Sequence, residues 1–127
     1  MRTLKTRAEF QRVQRGQKWV TPAFILQGLP RDNPANDSEP RFGFTVSSKS
    51  VSKEQAGAKK RGMAVDRNRA RRRLKEAVRL SLDVHARSDY DYVIIGRALA
   101  LSRKFEDLLA DMRLAFHKVG QAAARRD

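Results

Sequence analysis

The sequence contains no cysteine, which excludes disulfides, cysteine-based zinc sites and thiolate nucleophiles together. It has two histidines, His85 and His117, far apart and outside any HxxH or HExxH spacing, so they read as surface or helix-end residues rather than ligands. No apolar run approaches the roughly 18 residues that span a bilayer, and Met1 to Phe10 lacks the apolar stretch of a secretion signal. The expectation is a protein that stays where it is made, in a reducing cytoplasm. Acidic residues are also few: 14 Asp and Glu face 28 Lys and Arg, a formal charge of +14 on 127 residues.

Self-repulsion of that size works against compaction, whereas attraction to a polyanion offsets it. The polyanion is nucleic acid or an anionic membrane; the plainer alternative is a surface kept soluble by its charge. With 40% hydrophobic residues, six Phe and one Trp, the chain can bury one modest core and reads as a single domain over 1–127.

Thr6 and Glu9 fit a capping box, with Phe10 and Val13 on one face and Gly16 as a stop, which predicts a first helix over about Arg7 to Arg15. Val20 to Leu29 reads as a strand that ends at Pro30 and the turn-rich stretch Arg31 to Pro40. Arg41 to Ser47 alternates, with Phe42, Phe44 and Val46 opposite Gly43, Thr45 and Ser47, as a half-buried strand does. It is expected to pair with the preceding strand as a hairpin. Residues 49–62 read as a flexible basic loop. A basic helix follows over about Arg67 to Val84, then a strand over Tyr90 to Gly96, buried on both faces. Ser102 can cap a last helix carrying Phe105, Leu108, Leu109, Met112, Phe116 and Val119, before a tail over 120–127. The predicted class is α+β, a small α/β sandwich in the order αββαβα.

Between Lys59 and Arg79 the sequence holds ten Lys or Arg and two acids. At 100° per residue, Ala70, Leu74, Ala77, Val78 and Ser81 share one side of the basic helix, while Asn68, Arg72, Lys75 and Arg79 form a stripe roughly 16 Å long on the other. Arg67, Arg69, Arg71 and Arg73 flank that stripe. Arg69, Arg71, Arg72 and Arg73 repel one another unless anions are supplied from outside, and arginine's planar fork suits phosphate and exposed bases. The other readings of this run are a solvated basic face, or a membrane surface. A membrane surface requires bulkier apolar residues than this packing face offers.

The run Gly62-Met63-Ala64-Val65-Asp66-Arg67-Asn68-Arg69, leading into the basic helix, resembles the signature of the bacterial ribonuclease P protein subunit family. Glu9-Phe10-Gln11-Arg12-Val13 is similar to that family's first-helix motif, Arg41 to Ser47 to its R-x-G-x-x-V-S strand, and Asp91 to Arg97 to its third-strand motif. The resemblance implies an α/β sandwich with a left-handed βαβ crossover. It implies a chain that assists a catalytic RNA in endonucleolytic removal of the 5′ leader from precursor tRNA, one protein per RNA, with Mg²⁺ held mainly by the RNA. It further implies that Arg67, Asn68, Arg69 and the following Arg71, Arg72, Lys75 and Arg79 contact the catalytic RNA. A cleft between the first helix and the sheet would then hold the leader, with Phe10, Val13, Phe24 and Lys49 as its residues and Arg71 and Lys75 at its edge. The chain departs from the family pattern at Gln14, where an aromatic is usual, and by about a dozen added residues near Ser50 to Arg61.

A protein-borne hydrolase needs a base, a metal cage or an activated nucleophile, and no such constellation stands out. Asp89 and Asp91 could hold Mg²⁺ through water, but carboxylates at a strand entry more often shape turns or face solvent. Two readings remain: the ribonucleoprotein subunit, and a structural RNA binder of ribosomal-protein type with the same charge, size and fold class.

Overall fold

The computed structural model describes residues 2–31, 39–46, 63–85 and 89–124. The expected loop at 49–62 lies outside them. So do 125–127 of the expected tail, whereas 120–124 continue the last helix.

A short strand β1 (Arg2–Thr3) precedes helix α1 (Arg7–Val13). The capping box forms: the Thr6 hydroxyl accepts from the Glu9 N–H at 3.2 Å, and Glu9 Oε1 accepts from the N–H groups of Thr6 at 2.9 Å and Lys5 at 3.0 Å. The helix closes at Gln14, and the Gly16 N–H returns to the Val13 carbonyl at 2.9 Å. A side chain at Gly16 would put Cβ 2.1 Å from the Gly28 carbonyl oxygen, so only glycine lets the chain turn this tightly into the sheet. The strand expected over Val20 to Leu29 is β3 (Phe24–Pro30), and a further strand ahead of it, β2 (Gln17–Val20), pairs with it as a hairpin. Thr21 makes the turn: its hydroxyl accepts from the Phe24 N–H at 3.0 Å while its own N–H donates to the Phe24 carbonyl at 2.8 Å. Strand β4 (Arg41–Thr45), helix α2 (Met63–His85), strand β5 (Tyr90–Gly96), a single 3₁₀ turn (Ala98–Ala100) and helix α3 (Phe105–Ala124) complete the chain. The helices and the three longer strands keep the predicted order, and β1 and β2 add two short edges. The last helix begins at Phe105, three residues after Ser102, so the cap position expected for Ser102 is held by Lys104 instead.

The sheet order is β1-β4-β5-β3-β2, with β4 parallel to β1 and β5, and β3 antiparallel to β5 and β2. The expected hairpin of β4 with β3 is therefore replaced. β5 lies between them because its Val93-Ile94-Ile95 run is the segment best suited to burial on both faces, and α2 carries the chain from β4 to its parallel neighbour.

One sheet face packs on α2 and α3. Phe24, Leu26, Phe42, Tyr92 and Ile94 meet Leu74 and Val78 of α2 and Leu108, Met112 and Phe116 of α3 there. The Phe42 and Tyr92 rings stack at 5.5 Å and Phe116 stands edge-on to Tyr92 at 4.9 Å; each such side chain contributes about 1.5 to 3 kcal/mol by leaving water. On the other face, α1 is the one helix among the described residues, over a smaller cluster of Leu4, Val13 and Val93 flanked by Phe10 and Ile95. Three registered pairs run along this face: Arg41 with Asp91, Gly43 with Val93, Thr45 with Ile95.

Candidate nucleic-acid interface

Helix α2 divides as its periodicity predicts. Ala70, Leu74, Ala77, Val78 and Ser81 are buried, and Asn68, Arg69, Arg72, Lys75 and Arg79 are exposed. Arg67 and Arg71 are half-buried, and the Arg67 Nε has no hydrogen-bond partner among the described residues. Asn68, Arg71, Arg72 and Lys75 line one open depression of about 400 Å³. Lys75 reaches back over the Phe44 ring, its Nζ 5.7 Å from the centroid, a cation–π contact that holds the ammonium at the end of β4. Arg79 is paired with Glu76 one turn back, donating from Nε at 3.0 Å and Nη2 at 2.5 Å. That bond lowers the Glu76 pKa and raises that of Arg79. The depression at 68–75 is thus the place where cationic and polar donors converge on solvent.

Arg73 has a different role from its neighbours. Its Nη1 donates to the carbonyls of Ala100 at 2.8 Å and Leu101 at 2.5 Å, and its Nη2 to the carbonyl of Arg103. The expectation that all four arginines from 69 to 73 await external anions is corrected here: backbone dipoles of the turn between β5 and α3 take up this charge.

On the opposite sheet face, α1 and the ends of β4 and β5 enclose a cleft of about 340 Å³ lined by Lys5, Thr6, Arg7, Phe10, Gln14, Thr45, Val93 and Ile95. Its floor is apolar and its rim carries amide, hydroxyl and cationic groups. That combination suits a strand with flat bases and a charged backbone. Phe10 lies half-buried against Gly43, and a Cβ at 43 would come within 2.4 Å of the ring.

Beyond Phe10 on the same face sits a cluster of charges. The Asp91 carboxylate is fully buried and takes four hydrogen bonds: from Arg12 Nη2 at 2.7 Å, Arg31 Nη1 at 3.0 Å, Arg41 Nε at 2.8 Å and Arg41 Nη2 at 2.6 Å. Arg41 Nη1 goes on to Glu9 Oε2 at 2.9 Å. Burial pushes the Asp91 pKa up, but bonds from Arg41, Arg12 and Arg31 outweigh it and hold the carboxyl below its ordinary range. Glu9 is likewise lowered, by the N–H groups of Lys5 and Thr6 that it accepts from.

Comparison with known proteins decides the family. A model of the family described as Ribonuclease P matches residues 1–54 and 56–120. The chain belongs to the ribonuclease P protein family. The ribonuclease P protein component of Paramagnetospirillum magneticum is 43% identical over 119 residues, covering 92% of this chain and 81% of its relative. That of Gluconacetobacter diazotrophicus is 43% identical over 123 residues, covering 95% and 93%. Among solved structures, the RNase P protein from Thermotoga maritima shares the fold with a TM-score of 0.69 at 18% identity, over 94% of this chain and 98% of that one. As a member of the family, this chain serves as the protein subunit of the enzyme that processes the 5′ end of tRNA. Among the described residues no helix is long and apolar enough to cross a membrane.

Of the residues that the family resemblance implied for the cleft, Phe10 lines it, whereas Val13 and Phe24 do not. Val13 and Phe24 are both 0% exposed, so neither side chain can touch a ligand strand; Val13 packs under α1, and Phe24 faces the opposite core because alternate β3 residues point to α2 and α3. Arg71 and Lys75 belong to the depression on α2 rather than to the cleft edge. Lys49 lies outside the described residues. Thr45, Val93 and Ile95 enter instead. The alternation of Gly43 and Thr45 pointed toward that face, but nothing in a continuous apolar run told which of Val93, Ile94 and Ile95 would meet α1. Asp91 was expected to shape a turn or face solvent; it is enclosed by three guanidinium groups.

Proposed function

We propose that the α2 depression of Asn68, Arg71, Arg72 and Lys75, with the neighbouring Arg67, Arg69 and Arg79, binds the catalytic RNA of ribonuclease P, and that the cleft beside Phe10 holds the 5′ leader of precursor tRNA. The observation that carries this reading lies in two consecutive residues. Phe44 faces the helices with Lys75 over its ring, and Thr45 points into the cleft on the other face. One strand thereby joins a phosphate-type surface to an aromatic cleft, an arrangement suited to holding two RNA segments at fixed separation. Positioning of this kind lowers the entropic cost of bringing substrate to catalyst.

Phosphodiester hydrolysis is assigned to the RNA, assisted by Mg²⁺ that the RNA holds. The protein's own described residues do not fit a magnesium cage: no three His, Asp or Glu side chains converge among them, and the Asp91 oxygens are occupied by guanidinium N–H groups. When bound, the ion supplies charge stabilisation and an activated water. The chain contributes cationic screening between two polyanions and a seat for the leader. We place this work in the cytoplasm, with one protein per RNA.

A structural RNA binder of ribosomal-protein type would share the basic helix but would have no use for the cleft. Recovering the RNA bound to the tagged protein in cells and sequencing it tests the reading. Enrichment of the ribonuclease P RNA and of tRNA precursors with intact leaders is expected, and enrichment of ribosomal RNA alone would contradict it.

A further inference from the structure

Helix α1 spans Arg7–Val13, too short to persist without tertiary support. It packs on the sheet through Phe10 and Val13, and its ion pairs centre on one carboxylate. Asp91 on β5 binds Arg12, in the last turn of α1, and binds Arg41 on β4, which in turn binds Glu9, the residue that caps the first turn. Arg12 Nη1 also donates to the Pro30 carbonyl at 3.3 Å, and Arg31 ties the same carboxylate to the end of β3. Both ends of α1 are therefore held through Asp91.

The register converts this attachment into geometry. Arg41 and Asp91 form the first row on the α1 face, Gly43 and Val93 the second, Thr45 and Ile95 the third. Rows are two residues apart, about 6.6 Å, so the Asp91 row stands about 6.6 Å from Val93 at the near end of the cleft floor and about 13 Å from Thr45 and Ile95 at its far end, with the Phe10 ring over the middle row. We propose that Asp91 is a positioning residue for the single-stranded leader: without touching RNA, its carboxylate holds α1 at the distance from β4 and β5 that sets the width of the cleft. This rests on the reading that the cleft takes the leader.

The sign of the effect separates positioning from simple charge. Asp91→Asn makes a strongly basic chain more basic, so electrostatics alone would tighten its hold on RNA. Loosening α1 would weaken it for the leader only. The test uses the chain assembled with its ribonuclease P RNA and measures three affinities: protein for RNA subunit, complex for precursor tRNA, complex for mature tRNA. Asp91→Asn should lower the ratio of precursor to mature affinity about tenfold, within the hundredfold that a ~1 Å misplacement can cost, and leave RNA-subunit affinity unchanged. If Asp91→Asn does not fold, Arg12→Met carries the test, since its side chain is 31% exposed and its loss leaves the rest of the cluster in place. Arg12→Lys, which keeps a donor for Asp91, should recover part of the ratio. An unchanged ratio in a folded variant, or equal losses in the ratio and in RNA-subunit affinity, would overturn the proposal. Phe10→Ala run in parallel distinguishes the failures. If it lowers the ratio and the Asp91 and Arg12 variants do not, positioning alone is wrong; if it too leaves the ratio unchanged, the cleft does not hold the leader and both fall.

Discussion

The ring of Phe10 lies directly on Gly43: a Cβ built at 43 would stand 2.4 Å from Phe10 Cε1 and 2.5 Å from Cζ. Strand β4 can thus carry a half-buried aromatic over its middle while Thr45, two residues on, opens into the cleft. Gly43→Ala must push the ring outward or the helix away, and overpacking of this kind costs about 1 to 3 kcal/mol. The melting temperature should fall, and binding of precursor by the assembled enzyme should weaken more than assembly with the RNA subunit. Thermal melts beside the two binding curves check this, and equal losses in both would show that Gly43 serves the core alone.

On the other side of the sheet the expectation concerns phosphate. Each phosphate neutralised contributes ~0.7 to 0.9 to the slope of log affinity against log salt, so Arg72→Ala with Lys75→Ala should flatten that slope by up to about 1.4 to 1.8. Titration of RNA-subunit binding between low and moderate salt reads it directly. A slope that stays put in a folded double variant would mean that this depression does not meet RNA backbone.

Arg73 should behave in the opposite way to Arg72, one residue before it. Its guanidinium holds the carbonyls of Ala100, Leu101 and Arg103, so Arg73→Ala leaves three acceptors without their donor. It should lower stability by about 1 to 3 kcal/mol and leave the salt slope of RNA binding nearly unchanged, where Arg72→Ala changes the slope and spares stability. Denaturant melts and salt titrations on the two single variants make the comparison.

These contrasts also show what the sequence could and could not disclose. The helices, the caps at Thr6 and Glu9 and the split of α2 into a packing side and a basic side follow from local chemistry and period, and were legible. Pairing partners were not: alternation in Arg41 to Ser47 says that one face is buried, but which strand lies beside it depends on how β5 competes for the centre of the sheet. Phe24, which only the family resemblance places in the cleft, faces the helices instead, and local sequence does not tell where the charges of Arg73 and Asp91 are met. Whether an arginine faces solvent or three carbonyls, and whether an aspartate faces water or three arginines, is fixed by residues 27 to 79 positions away in the chain. Only the fold brings them together.

Acid should dissolve the Asp91 cluster with a definite sign. Its folded pKa lies below the ordinary value of 3.8, so its contribution is complete above that pH and is lost as pH falls through the folded value. Asp91→Asn should cost about 3 to 5 kcal/mol at neutral pH, the usual penalty for breaking a buried pair. The deficit relative to the parent protein should shrink progressively below about pH 4. Denaturant melts of both proteins across that range test it, and a deficit independent of pH would contradict a charged Asp91 in the folded state.

The central claim is that the protein holds the leader, the part of the substrate that the reaction removes. The most direct measurement compares binding of precursor and mature tRNA to the ribonuclease P RNA, with and without the protein, at moderate Mg²⁺ and salt. The account predicts a clear gain for precursor, little for mature tRNA, and a gain that shrinks as added salt and Mg²⁺ take over the screening of phosphate charge. Equal enhancement of both tRNAs would contradict it.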